Sequence, residues 1–117
     1  AEWLLEELAN AGKLPTSYPC PVQIVSLGDD LTMIAIGGEA VIDYAIRLKR
    51  EVERKNVWVL GYSNDVFAYT PSRRVVIEGG YEGATSMRYP RENIHPSPWA
   101  PTIEENIVAK VFELLAK

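Results

Sequence analysis

Two apolar runs, LTMIAI at residues 31–36 and VWVL at residues 57–60, stand on either side of a stretch with helical periodicity. This arrangement constrains the fold more than anything else in the chain. LTMIAI is apolar at nearly every position, the mark of a strand buried on both faces. VWVL is rich in β-branched and aromatic residues and reads as a second buried strand, over 57–61. Between them, residues 39–54 bring Val41, Tyr44, Ala45, Leu48 and Val52 to one helical face, with Asp43, Arg47, Arg50 and Glu51 outward. Strand, helix and strand make a βαβ unit, so the strands should lie parallel, joined by a right-handed crossover. An earlier strand, Val22–Leu27, runs through Gly28-Asp29-Asp30 into LTMIAI and predicts a β-hairpin. The expected class is α/β: a mixed β-sheet with a hairpin, one right-handed βαβ unit and flanking helices.

The flanks follow from local signals. Residues 2–11 alternate Trp3, Leu4, Leu5, Leu8 and Ala9 with Glu2, Glu6, Glu7 and Asn10, an amphipathic helix that Gly12 should stop. Thr70-Pro71-Ser72 predicts a short helix over 71–77, with Thr70 as N-cap and Pro71 in the first helical position. Residues 81–89 fit either a last short strand or a shaped loop, and 91–101, with three prolines, should be irregular. Thr102 followed by Glu105 reads as a capping box opening a last helix, whose buried stripe is Ile103, Ile107, Val108, Val111, Leu114 and Leu115.

With 117 residues, 47% of them hydrophobic and 24% charged, the chain is long enough for one globular domain with its own core. A net charge of -4 argues against nucleic acid, which needs a basic surface. The single cysteine, Cys20, lies between Pro19 and Pro21 and has no partner for an internal disulfide. No apolar run reaches the length of a membrane span. The chain opens without methionine, inside helix-like sequence, so the expected unit is a single domain, 1–117, either a processed mature chain or a fragment cut from a longer protein.

Topology turns these elements into a site. Ligands of open α/β sheets bind outside the carboxyl ends of parallel strands. The first strand delivers Gly37-Gly38-Glu39 there, and the second delivers Ser63-Asn64-Asp65 and then Tyr69. Glu39, Tyr69 and the 63–65 loop should therefore share one edge, as metal ligands or as an acid/base pair. Each residue also has an ordinary structural reading. A glutamate in the first turn of a helix is favoured by the macrodipole, Asn64 and Asp65 suit turns, and tyrosines are commonly half-buried. His95, the lone histidine, reads as a surface loop residue.

Together the motifs resemble the neutral/alkaline (non-lysosomal) ceramidase family, over roughly residues 31–89 and in the last portion of its catalytic domain. Family members carry Pro-Gly-Glu at the head of a helix, matched here by Gly38-Glu39 with Gly37 in place of proline. They carry a strand ending in Gly-x-x-Asn, matched by Gly61 and Asn64, and then a tyrosine before a Thr-Thr helix start, matched by Tyr69 before Thr70-Pro71-Ser72. Tyr-Glu-Gly follows twelve residues on, at Tyr81-Glu82-Gly83. The resemblance implies an amidase that uses a zinc ion (Zn2+) to activate water for attack on an N-acyl amide such as that of ceramide. It implies that Glu39 and Tyr69 are zinc ligands and that Tyr81 faces the substrate, with Gly38, Asn64 and Asp65 in the pocket. It also implies an extracellular or periplasmic setting, and histidine ligands in the remainder of the catalytic domain, so that this chain alone would be inactive. The competing expectation is a non-catalytic α/β interaction domain. A flavodoxin-like nucleotide binder has only Gly37-Gly38 in its favour.

Overall fold

In the computed structural model, which describes residues 2–13, 16–88 and 97–117, the hairpin and the parallel strand pair form where the sequence places them. The chain order is α1 (Glu2–Ala11), β1 (Val22–Leu27), β2 (Leu31–Ile36), β3 (Glu39–Ala40), α2 (Ile42–Glu51), β4 (Val57–Leu60) and β5 (Tyr69–Thr70). There follow α3 (Arg73–Glu78), α4 (Gly80–Gly83), a 3-10 turn (Thr85–Arg88) and α5 (Ile103–Leu115). Strand β1 pairs antiparallel with β2, from Val22 opposite Ile36 to Leu27 opposite Leu31. Strand β4 lies parallel to β2 on its other side, with Thr32 opposite Val57 and Ala35 opposite Leu60. The fold is α/β, with parallel and antiparallel pairs in one sheet ordered β1-β2-β4.

Helices α2 and α5 share one core with this sheet. Ile34 and Ile36 of β2 and Val57 of β4 meet Tyr44, Leu48 and Val52 from the α2 segment and Ile107, Val108 and Val111 from α5. Each such side chain contributes roughly 1.5–3 kcal/mol when fully buried. Tyr44, wholly buried, directs its hydroxyl to the carbonyl of Pro71 at 3.0 Å, so its polar end is satisfied inside the core.

Several local expectations give way to tertiary contacts. The helix expected over 39–54 begins only at Ile42, because Glu39 and Ala40 are taken into strand β3. There the Glu39 N–H donates to Ala68 O at 2.8 Å and the Val41 N–H to Thr70 O at 3.2 Å. Ser72, not Thr70, caps α3, accepting from the Val75 N–H, while Thr70 sits in β5 and donates its hydroxyl to Gly37 O at 2.9 Å. Thr102 makes no side-chain cap, and Glu105 joins Arg47 in place of a capping box. Arg47 is accordingly only part-exposed and also reaches Glu51 and Glu104, rather than pointing wholly into solvent. Residues 81–88 form helical turns and no strand.

Strand β4 is an edge strand open on one side. Trp58 and Leu60 are 56% and 40% exposed, where burial was expected for the whole run. In α1, Leu5 and Leu8 also stand exposed instead of forming a buried stripe.

Candidate active site

Beyond the carboxyl ends of β2 and β4 the chain builds a second, two-stranded sheet. Strands β3 and β5 pair in parallel, with Glu39 directly beside Tyr69 and Ala40 beside Thr70. The connection into β3 depends on Gly38, whose φ of 71° is left-handed. A Cβ there would lie 2.6 Å from the Ala68 carbonyl oxygen and closer still to the Thr70 hydroxyl. Glycine is thus required twice, by backbone angle and by space. The backbone donors of this turn are already used: Gly37 N–H bonds Pro21 O at 2.9 Å, and Gly38 N–H bonds Asp65 O at 2.8 Å. A phosphate cradle needs such donors free, which removes the basis of a nucleotide-binding reading.

Adjacent in-register positions bring the Glu39 and Tyr69 side chains to the same edge. The Tyr69 phenol feels the charge of the Glu39 carboxylate on the neighbouring strand. Its pKa is raised, first by burial and then by the negative charge of Glu39. Tyr81, at the start of α4, sets its ring edge-on to Tyr69, with centroids 5.6 Å apart and planes at 78°. Gly83 makes this possible: it is buried against the Val75 carbonyl, an approach that a Cβ would block. Tyr81 itself is 53% exposed. Glu39, Tyr69 and Glu82, with Val41, Ile42 and Val75, line an open depression of about 260 Å³.

Asn64 and Asp65 are directed elsewhere. The Asn64 side-chain amide donates to Gln23 Oε1 on β1 at 3.1 Å. Asp65 accepts from the Tyr18 hydroxyl at 2.5 Å, and this bond raises the Tyr18 pKa. Both act as fasteners, holding the 63–65 loop to the hairpin and to the connector before it. His95 lies outside the described residues. Cys20 is part-buried, and burial pushes its thiol up to about 11, leaving it an inert group at neutral pH.

Tyr62 joins the site although its position gave no signal in the sequence. Its φ is 53°, and the Glu39 carboxylate pushes its phenol up to about 12. The charge of the Glu39 carboxylate is felt by two phenols, and among the described residues no Lys or Arg forms an ion pair with it. Trp99 supports the arrangement from behind, donating its indole N–H to Tyr69 O at 2.9 Å. In turn it packs edge-on to Phe67, with centroids 5.9 Å apart.

A carboxylate and a phenol on adjacent strands, without a cation, suit a divalent metal as two oxygen donors. Four-coordinate zinc needs two more ligands. Among the described residues no group of three or more His, Cys, Asp or Glu converges to supply them. The described residues alone therefore do not make up a zinc shell. No family model matches the chain, and no curated protein or solved structure matches it either.

Proposed function

We propose that this chain is part of a zinc-dependent N-acyl amide hydrolase of the ceramidase type. Glu39 and Tyr69 are its metal ligands in this part of the protein, and Tyr81 faces the substrate. The observation that supports this reading best is the register of β3 with β5, which sets Glu39 beside Tyr69 and leaves the Tyr81 ring against Tyr69. The remaining ligands come from the rest of the catalytic domain, and the isolated chain is inactive. The substrate class is an N-acyl lipid amide, ceramide-like, met in an extracellular or periplasmic setting.

When bound, zinc supplies Lewis-acid polarisation and a water activated near neutral pH. The chain's own contribution is positional and electrostatic. Glu39 and Tyr69 present two oxygens from a backbone fixed by strand pairing. The Tyr81 hydroxyl, which bonds no side chain or backbone group among the described residues, would donate a hydrogen bond to the amide oxygen as negative charge develops there, a contribution of roughly 3 kcal/mol for a well-aimed donor. Val41, Ile42 and Val75 give the depression an apolar wall against which a substrate chain can lie.

The test is hydrolysis of an N-acyl amide by the full-length protein carrying Glu39→Ala or Tyr69→Phe. Each substitution is expected to lower kcat/KM by at least about a hundredfold. Near-normal activity in both variants would sink the assignment. A second reading, a non-catalytic interaction domain, draws on the exposed apolar sheet face around Leu27, Trp58 and Leu60. It requires Glu39 and Tyr69 to be replaceable without functional loss.

A further inference from the structure

We propose that the cavity between the connector before β1 and the first turns of α5 is a binding site for a small neutral ligand, built on one ring and carrying one hydrogen-bonding substituent. The cavity and the depression at Glu39 share no lining residue, so this is a second site. No metal is needed there.

Three aromatic rings from separate parts of the chain form its wall: Tyr18 of the connector, Phe67 of the loop before β5, and Trp99 ahead of α5. Tyr18 and Phe67 lie 4.4 Å apart between centroids, with planes inclined by 32°, and Trp99 meets Phe67 edge-on. The two rings that carry polar atoms have those atoms engaged outside the cavity. The Tyr18 hydroxyl donates to Asp65, and the Trp99 indole N–H donates to Tyr69 O. Each is pinned at its polar end and leaves its apolar body to the cavity. Rings held in this way resist collapse into the space between them. An empty apolar cavity forfeits packing contacts, so pinned walls around one point to an occupant rather than to loose packing.

Size and charge narrow the occupant. The cavity holds about 210 Å³. A cavity of about 150 Å³ takes benzene, whereas sites for drug-sized ligands begin near about 300 Å³. One ring with a short substituent falls between these limits. Among the described residues that line the cavity none is charged, so an ionised ligand would lose hydration without gaining a partner. Ile107, buried in the core, completes the inner wall, while Thr102 and Asn106 stand at the exposed rim. Thr102 makes no side-chain cap, and the Asn106 carboxamide bonds no described residue. These two groups are placed to meet a hydroxyl or amide at one end of the ligand.

The experiment is a saturation-transfer NMR titration of the full-length protein with p-cresol, and with benzoate as an anion of similar size. p-Cresol should bind with a Kd of about 1 mM or tighter, the range open to so small a ligand. Benzoate should bind at least about tenfold more weakly. Ala100→Trp plugs the cavity from its exposed rim, and Asn106→Trp does so from α5. Each should weaken p-cresol binding at least about tenfold, because the added ring occupies the ligand's space. Should one variant fail to fold, the other carries the test. No p-cresol binding at about 10 mM overturns the site, and so does undiminished binding in either folded variant. Benzoate bound as tightly as p-cresol overturns the assignment of a neutral ligand. All of these outcomes are independent of Glu39 and Tyr69, so the amidase reading stands or falls separately.

Discussion

Asp43 and Glu39 stand four residues apart, and the protein treats their charges in opposite ways. Asp43, in the first turn of α2, receives hydrogen bonds from Arg74 at 3.0 and 3.2 Å and from the Ser72 hydroxyl. Arg74 first, and Ser72 second, hold its pKa below the usual carboxylate value. Its charge is neutralised within the fold, and it fastens α3 to α2. Glu39 forms no ion pair with a Lys or Arg among the described residues. A carboxylate paired with a cation serves the fold, whereas one without such a partner keeps its charge available to something added. This difference, more than proximity to other polar groups, separates a candidate ligand from a structural ion pair.

The largest expected effect strikes the Glu39 side through its backbone. Gly38→Ala combines a left-handed cost of roughly 1–2 kcal/mol with overpacking of roughly 1–3 kcal/mol against Thr70 and Ala68. Urea unfolding should therefore show a loss of about 3 kcal/mol; a loss below about 1 kcal/mol would mean that the β3–β5 sheet is looser than described.

A smaller effect lies on the Asp43 side. Asp43→Asn should cost about 1 kcal/mol at neutral pH, the scale of a part-exposed ion pair with an added hydrogen bond. The folded pKa of Asp43 lies below an unfolded value of roughly 3.9. On acidification the unfolded chain takes up the proton first, so this stability is complete above about pH 4 and lost as pH falls through the folded value. Unfolding midpoints measured from about pH 5 down to pH 2 should show a component that disappears in Asp43→Asn. An unchanged pH profile in that variant would remove Asp43 from the comparison.

The smallest expected effect is at Glu39 itself. Glu39→Gln keeps the shape and should change stability by no more than about 0.5 kcal/mol, read from the same unfolding curves. A loss as large as that of Asp43→Asn would erase the distinction between the two carboxylates.

Periodicity carried the large elements. The hairpin, the parallel pair and the buried stripe of α5 follow from apolar patterning that burial enforces over many residues. The meeting of Glu39 and Tyr69 was legible as two deliveries to one sheet edge, whereas Tyr81 came into view only through the family resemblance. Its details were not. Thr70 and Ser72 are equally good N-cap types, and only the position of Gly37 O decides which hydroxyl is drawn into a strand. Glu105 fits a capping box, but Arg47 arrives from a distant helix and claims it. Trp58 and Leu60 have the composition of a buried strand, and their exposure follows from strand order, which composition does not encode. The turn at Tyr62 was invisible for a related reason: a tyrosine does not advertise a left-handed backbone angle, where a glycine or asparagine would have marked the bend.

The two rungs joining Glu39 to Tyr69 and Ala40 to Thr70 also bear on entropy. They close the chain from β3 through α2 and β4 to β5 into a ring, which carries Tyr44, Leu48, Val52 and Val57 of the core. The freedom that two side chains on loose loops would surrender on meeting a ligand is, at this edge, surrendered when the protein folds. Binding then draws on preorganisation: the ordering cost falls on the stability of the domain, and less of it on the affinity of the site.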